Sequence, residues 1–276
     1  MKTPLVALAL TLLPFGASAQ TLLVSDLDDT IKVSYVLDPE SAAANGAMIH
    51  NVFMGMPELY HAIAKAPDLA AIKYLSNAPR KLVGDLHQRF LDFNEFPEGE
   101  LVTRSWTQIF SGNAHKLRSL RAFIKKYQPT SMILVGDNGE ADAQIYAEIR
   151  EEFPAITGPT YIRQAYSSFG FDNHYAKPMF AGQIPFASSI DIALDLYSKG
   201  LLEQKAVTEL VRAIVPDMLE EDEDETKGRT AFPEWYDCRD FVLPALPLML
   251  DPIANDLLQA YGEKVQFRCA LEPFDD

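Results

Sequence analysis

The chain has 276 residues, 48% of them apolar, enough for one large domain or a core with an appendage. Its formal charge of −15 argues against nucleic acid, which needs clustered Lys and Arg, and against strong attraction to an anionic membrane surface. Much of the acidic excess sits in Glu220–Glu225 (EEDEDE), which reads as a solvated loop.

The amino terminus opens with Lys2, an apolar stretch Leu5–Phe15 and the small-residue site Ala17-Ser18-Ala19. This pattern predicts a secretory signal over residues 1–19, cleaved after Ala19, because the apolar run is shorter than the ~20 residues of a spanning helix. The mature chain is expected to be secreted or periplasmic, with no transmembrane segment. An oxidising compartment permits a Cys238–Cys269 bridge, stabilising by roughly 3–4 kcal/mol in the chain-entropy model; two buried free thiols are the alternative.

Residues 21–165 alternate apolar runs with helical patterns. Leu22–Ser25, Ala71–Ser76 and Met132–Gly136 read as buried parallel strands, with Thr160–Arg163 as a fourth. Pro57–Lys65, Lys81–Phe93, His115–Tyr127 and Ala141–Glu152 read as the helices between and after them. This order predicts an α/β sheet, with ligands at the carboxyl ends of its strands. Residues 20–170 are expected to form this unit. Residues 171–276 are expected to be a mostly helical extension packed on it: Ser189–Ser198 and Leu202–Ile214 as a pair broken at Gly200, then a short helix Ile253–Tyr261.

Chemistry concentrates at the strand ends. Asp26 and Asp28 follow the first strand, spaced so that both can face one side. Carboxylates held that close raise each other's pKa unless a cation intervenes, and a hard divalent ion with oxygen ligands, Mg²⁺ above all, suits phosphate chemistry. Asp137 and Asp142 form a second acidic cluster after the third strand, Ser76 and Asn77 end the middle one, and Lys116 opens a helix.

D-x-D-x-T at Asp26–Thr30, S-N at Ser76, Lys116 and G-D-x-x-x-x-D at Gly136–Asp142 resemble, in order, the four motifs of the haloacid dehalogenase superfamily. More narrowly, VSDLDDTIKVS, IKYLSNAPRKLVGDLHQRFLDFNEFPEGEL, HKLRSL and ILVGDNGEADAQIY are similar to the catalytic domain of actin-patch-type phosphatidate phosphatases, over about residues 22–165. The resemblance implies a Rossmannoid parallel sheet flanked by helices and a Mg²⁺-dependent phosphomonoester hydrolase working through an aspartyl-phosphate. It assigns Asp26 as nucleophile and Asp28 as general acid and base. It places Mg²⁺ on the Asp26 and Asp137 side chains and the Asp28 backbone carbonyl, with Asp142 nearby or bound through water. Ser76 and Asn77 would bind phosphoryl oxygens, and Lys116 would neutralise them.

Asp29 reads as a structural cap of the turn. Arg80 and Lys32 read either as phosphate contacts or as surface salt bridges, and His115 as a helix-start residue. Met48, Phe53, Met54 and Met56 read as core packing, with contact to acyl chains as the functional alternative. Residues 31–75 and 77–115, which separate the motifs, leave no room for a large cap, so the cleft is expected to be open. Phosphatidate at a membrane surface is the substrate the resemblance implies. A soluble phosphomonoester or phosphoprotein is the alternative within the same mechanism, and a non-enzymatic binding protein the alternative outside it. No protein partner is indicated.

Overall fold

A computed structural model describes residues 20–104, 112–167, 176–220, 228–233 and 251–271, apart from the side chains of 80–84, 112 and 269–271. The expected leader, the Arg80 side chain and the side chains of both cysteines of the expected bridge therefore lie outside the described residues. In chain order the elements are β1 (Thr21–Ser25), α1 (Pro39–Asn45), β2 (Val52–Phe53), α2 (Met56–Ala64), β3 (Leu69–Pro79), α3 (Arg80–Phe93), β4 (Glu100–Arg104) and α4 (Gly112–Tyr127). They continue with β5 (Ser131–Asp137), α5 (Asp142–Glu152), β6 (Thr160–Arg163), β7 (Ile184–Phe186), α6 (Ser189–Ser198), α7 (Gln204–Glu220), β8 (Arg229–Thr230) and α8 (Pro252–Leu271).

The fold is the expected α/β class. Six parallel strands pair in the order β4-β3-β1-β5-β6-β7, and β2 and β8 form a separate pair. Strand β1 is central. The chain moves outward through β3 and β4, then crosses back to β5, so strand order reverses at β1. A crevice opens at such a reversal, at the carboxyl ends of β1, β3 and β5.

All five residues of β1 are buried, because both sheet faces are covered. Leu22 and Val24 point to one face and join Met132, Leu134 and Ile162 under Leu120 and Phe123 of α4 and Ile145 and Ile149 of α5. Leu23 points to the other and joins Ile133 and Tyr161 under a larger cover of α2, α6, α7 and α8, including Tyr60, Ile190, Leu194, Val211, Ile214 and Tyr261. Each fully buried Leu or Ile contributes about 1.5–3 kcal/mol. The segment after residue 170 thus supplies both an edge strand and most of one face's cover.

Helix α6 starts with a capping box: Ser188 Oγ accepts from Ile190 N–H, and the Asp191 carboxylate accepts from Ser188 N–H. Gly200, at φ +69°, ends the α6 region as expected. Helix α8 runs ten residues beyond the expected end at Tyr261, to Leu271. Phe53, Met54 and Met56 are core residues, while Met48 remains 41% exposed.

Candidate active site

The turn after β1 is built on local hydrogen bonds. The Leu27 carbonyl accepts from the N–H groups of Thr30, Ile31 and Lys32, and Asp29 N–H donates to the Lys32 carbonyl. Asp29 sits at φ 59°, a left-handed conformation that Asp tolerates better than most residues. Its carboxylate accepts from the N–H groups of Ser34, Tyr35 and Val36 and from the Tyr166 hydroxyl, at 2.5–3.2 Å. Both oxygens are occupied in holding the turn.

The turn aims Asp26 into the crevice from β1. Asp137 enters from the end of β5, and Asp142 from the start of α5. One carboxylate oxygen from each of the three lies within 4.8 Å of the other two, and all three side chains are buried. Gly136 makes the approach possible: a Cβ there would meet the Asp142 side chain at 2.6 Å. Asp137 Oδ1 accepts from the N–H groups of Gly139 and Glu140, at 2.6 and 3.0 Å. Asp137 Oδ2 and Asp142 Oδ2 are buried with no hydrogen-bond partner among the described residues.

Lys116, fully buried on α4, places its ammonium 2.6 Å from Asp26 Oδ1 and 2.5 Å from Asp142 Oδ1, with Glu140 at 3.8 Å. One ammonium against three carboxylates leaves negative charge uncompensated. Burial first, then repulsion from the other acids, pushes the Asp26 carboxyl well above its usual range, against the pull of Lys116. Asp137 is pushed up by burial and by Asp142, Asp29 and Glu140. The Lys116 ammonium is held well above its usual range: burial opposes the charge, but Asp142 and Asp26 outweigh it. Two unpartnered carboxylate oxygens in an acidic pocket fit a hard divalent cation. Asp26, Asp137 and Asp142 are the side chains that could hold it.

Asp28 faces elsewhere, and its carboxylate is outside this trio. Ser34 Oγ donates to Oδ1 at 2.8 Å, His87 Nε2 lies 3.1 Å from Oδ2, and the Lys32 ammonium is 3.5 Å from Oδ1. Burial raises the Asp28 carboxyl, but the hydrogen bond and charge of His87, with Lys32 and Ser34, outweigh it and hold the group well below the usual carboxylate range. Lys32 is buried and donates to the Gly46 carbonyl, so it is no surface salt bridge. His115 is buried beside Lys116, and burial with Arg118, Lys116 and Arg104 nearby lowers its pKa.

Ser76, Asn77 and Asp28 line a cleft of about 280 Å³ together with Glu140, Arg104 and Lys177. Ser76 Oγ accepts from Ala78 N–H, and Asn77 Oδ1 is buried without a partner among the described residues. Sequence reasoning missed three of the residues gathered here. Arg104 ends an edge strand, Lys177 follows no motif, and His87 meets Asp28 only through the fold. The available signal for Arg104 was its place at a strand end, which required seeing β4.

Residues 21–164, more than half of the chain, match the family model of the catalytic domain of phosphatidate phosphatase APP1. The chain belongs to that family. The phosphatidate phosphatase APP1 of Saccharomyces cerevisiae is 29% identical over 160 residues, which cover 54% of this chain and 26% of that protein. An uncharacterized protein of Schizosaccharomyces pombe is 26% identical over 156 residues, 53% of this chain and 26% of its own. The chain thus spans about a quarter of the length of these curated relatives. A chain of the solved Pnkp1/Rnl/Hen1 complex aligns with a TM-score of 0.37 and 17% identity, over 56% of this chain and 52% of that one. The APP1-type match takes in every acidic residue of the crevice, Lys116 and His87, and ends before β7 and α6–α8. Among the described residues, no helix is long and apolar enough to cross a membrane.

Proposed function

We propose that the chain is a Mg²⁺-dependent phosphomonoester hydrolase of the haloacid dehalogenase type, with phosphatidate as its substrate. The observation that carries this reading is the convergence of Asp26, Asp137 and Asp142 at the carboxyl ends of β1 and β5, with Lys116 paired to Asp26 and Asp142. Family membership supports the choice of substrate.

Asp26 attacks phosphorus through its carboxylate, the P–O bond to the alcohol breaks, and an aspartyl-phosphate forms. Thr30 Oγ1, 3.3 Å from Asp26 Oδ2, and Lys116 on Oδ1 fix the direction of the attack. Asp28 gives its proton to the departing alkoxide, then takes one from the water that hydrolyses the aspartyl-phosphate, so the cycle restores its starting state. Its neighbours keep Asp28 ionised in the free chain, so the proton enters with the substrate: a phosphomonoester monoanion hands it to Asp28, whose pKa the added negative charge raises, and the proton taken from water leaves with the product phosphate. Asn77 and Ser76 bind phosphoryl oxygens. Mg²⁺, held by Asp26, Asp137 and the Asp28 backbone carbonyl with Asp142 close by, would screen the charge that keeps an anionic nucleophile from an anionic phosphate.

The cleft itself favours a second reading. At about 280 Å³, with Arg104 and Lys177 on its walls and Val36 and Leu37 as its larger apolar residues, it fits a headgroup better than acyl chains. A soluble phosphomonoester is the alternative substrate. The separating assay compares phosphatidate in mixed micelles with p-nitrophenyl phosphate, with and without Mg²⁺, beside Asp26→Asn. Phosphatidate turnover lost with both Mg²⁺ removal and the variant supports the first reading. Turnover of the soluble ester alone supports the second, and folded protein inactive on both would leave only a binding role. We also propose that residues 1–19 are a cleaved leader and that the mature protein is secreted or periplasmic, starting at Gln20; amino-terminal sequencing of the exported protein tests this.

A further inference from the structure

His87 lies in the middle of α3, 1% exposed, and its Nε2 sits 3.1 Å from Asp28 Oδ2. No local sequence pattern marks it. Helix α3 begins directly after Ser76-Asn77-Ala78-Pro79, so the element that follows the phosphate-binding strand end also carries the histidine that reaches the second aspartate. The other Asp28 oxygen is held by Ser34 at 2.8 Å. Lys32 is a poorer anchor: it lies farther off, at 3.5 Å, and spends its better hydrogen bond, at 2.7 Å, on the Gly46 carbonyl. An aspartate side chain has two rotatable angles. Ser34 and His87, gripping opposite oxygens from different elements, fix both.

We propose that His87 is a positioning residue: it orients the Asp28 carboxyl toward the leaving-group oxygen and thereby sets how well the chain expels poor leaving groups. The proposal rests on the reading of Asp28 as general acid and base. His87 is neither a member of the acidic trio nor a lining residue of the cleft, and it meets that lining at Asp28, so its effect should pass through Asp28 and leave the nucleophile and the metal carboxylates alone. A general acid matters most when the departing oxygen is basic. An alkoxide needs the proton, whereas p-nitrophenolate leaves without one. Misplacing the acid should therefore penalise alkyl esters selectively, a signature that loss of packing does not produce.

The test uses the full chain with Mg²⁺ and two substrates, p-nitrophenyl phosphate and glycerol 3-phosphate or short-chain phosphatidate. His87→Leu removes the polar contact, and His87→Gln places an amide nitrogen near the position of Nε2. His87→Asn, polar but too short to reach, serves if the leucine variant does not fold. The expected result for Leu or Asn is a loss of roughly 10–100-fold in kcat on the alkyl ester, under about threefold on p-nitrophenyl phosphate, with Gln recovering most of it. Mg²⁺ affinity, read by calorimetry, should stay within about twofold of wild type. Equal losses on both substrates, no loss on either, or no recovery by Gln would overturn the proposal. Asp28→Asn is the control for the underlying reading: if it shows no leaving-group preference, Asp28 is not the acid and the role of His87 falls with it. If it does and His87→Leu does not, only the positioning role fails.

Discussion

Asp29 is the third acid of the D-x-D-D sequence, and its substitution separates a structural carboxylate from a metal-binding one. Replacing it with Ala removes the acceptor for four donors: the N–H groups of Ser34, Tyr35 and Val36 and the Tyr166 hydroxyl. Val36 is half-buried and can find water, but Ser34, Tyr35 and Tyr166 are buried. At about 1–3 kcal/mol for each buried donor that loses this acceptor, plus roughly 1 kcal/mol for Ala at φ 59°, and allowing for partial relief by water and by other partners, Asp29→Ala should cost about 4–6 kcal/mol. That is a large share of the 5–15 kcal/mol typical of a whole domain. Asp29→Asn keeps the shape and suits the left-handed backbone. Its amide oxygen can replace Oδ1, and its NH₂ faces Tyr166, whose hydroxyl can turn to accept, so the Val36 N–H and the Tyr166 O–H lose the acceptor they share at Oδ2. About 1–2 kcal/mol is expected. Urea unfolding of the three proteins at pH 7.5, followed by circular dichroism, gives both differences. An Ala variant within about 1 kcal/mol of wild type, or an Asn variant as damaged as the Ala one, would refute the reasoning. A metal-binding Asp29 would instead lose its Mg²⁺ response in the Asn variant without losing stability.

Other outcomes follow from the same geometry. Saturating Mg²⁺ at about 100 times its dissociation constant should stabilise the folded chain by about 2.7 kcal/mol, seen as a raised thermal midpoint. Asp137→Asn should erase that shift, since it removes the negative charge from a carboxylate whose Oδ2 has no hydrogen-bond partner among the described residues. Gly136→Ala should weaken Mg²⁺ binding at least about tenfold and cost about 1–3 kcal/mol in stability, because its Cβ would collide with Asp142 and with the Tyr146 ring at 2.8 Å. Arg163 is fully buried between the rings of Phe53 and Phe186, 3.9 and 4.5 Å away, and donates to the Thr30 and Ala187 carbonyls. Arg163→Met should destabilise by about 2–4 kcal/mol in urea unfolding, since it strips two buried carbonyls of a charged donor.

How much of this could be read from sequence depended on burial. Strands β1, β3 and β5 are covered on both faces, so their apolar runs are continuous and their ends, with Asp26, Ser76 and Asp137, could be placed from the letters alone. Strand β4 lies at the sheet edge with its residues only partly buried; it lacks such a run, and Arg104 went unnoticed with it. Strand β7 has three residues and contains Pro185, which argues against a central strand but is tolerated at the edge where it lies. Helix α8 continues past the expected end at Tyr261 because Leu258, Tyr261 and Val265 pack into one core. The acidic trio was legible because Asp26 and Asp137 sit at strand ends and Asp142 opens the helix that follows β5. The contact between Asp28 and His87 was not, because tertiary packing alone brings α3 to the turn after β1.

As the nucleophile of a covalent phosphoryl transfer, Asp26 must carry the phosphoryl group transiently. Rapid quenching of the Mg²⁺-loaded enzyme with labelled p-nitrophenyl phosphate, followed by borohydride reduction and peptide mapping, locates any acyl-phosphate directly. The expected result is labelled phosphate bound to the quenched protein and released by borohydride, with homoserine found in place of Asp26 on its peptide, both absent in Asp26→Asn. Label on another residue, or turnover in the Asp26→Asn protein at a wild-type rate, would contradict the account.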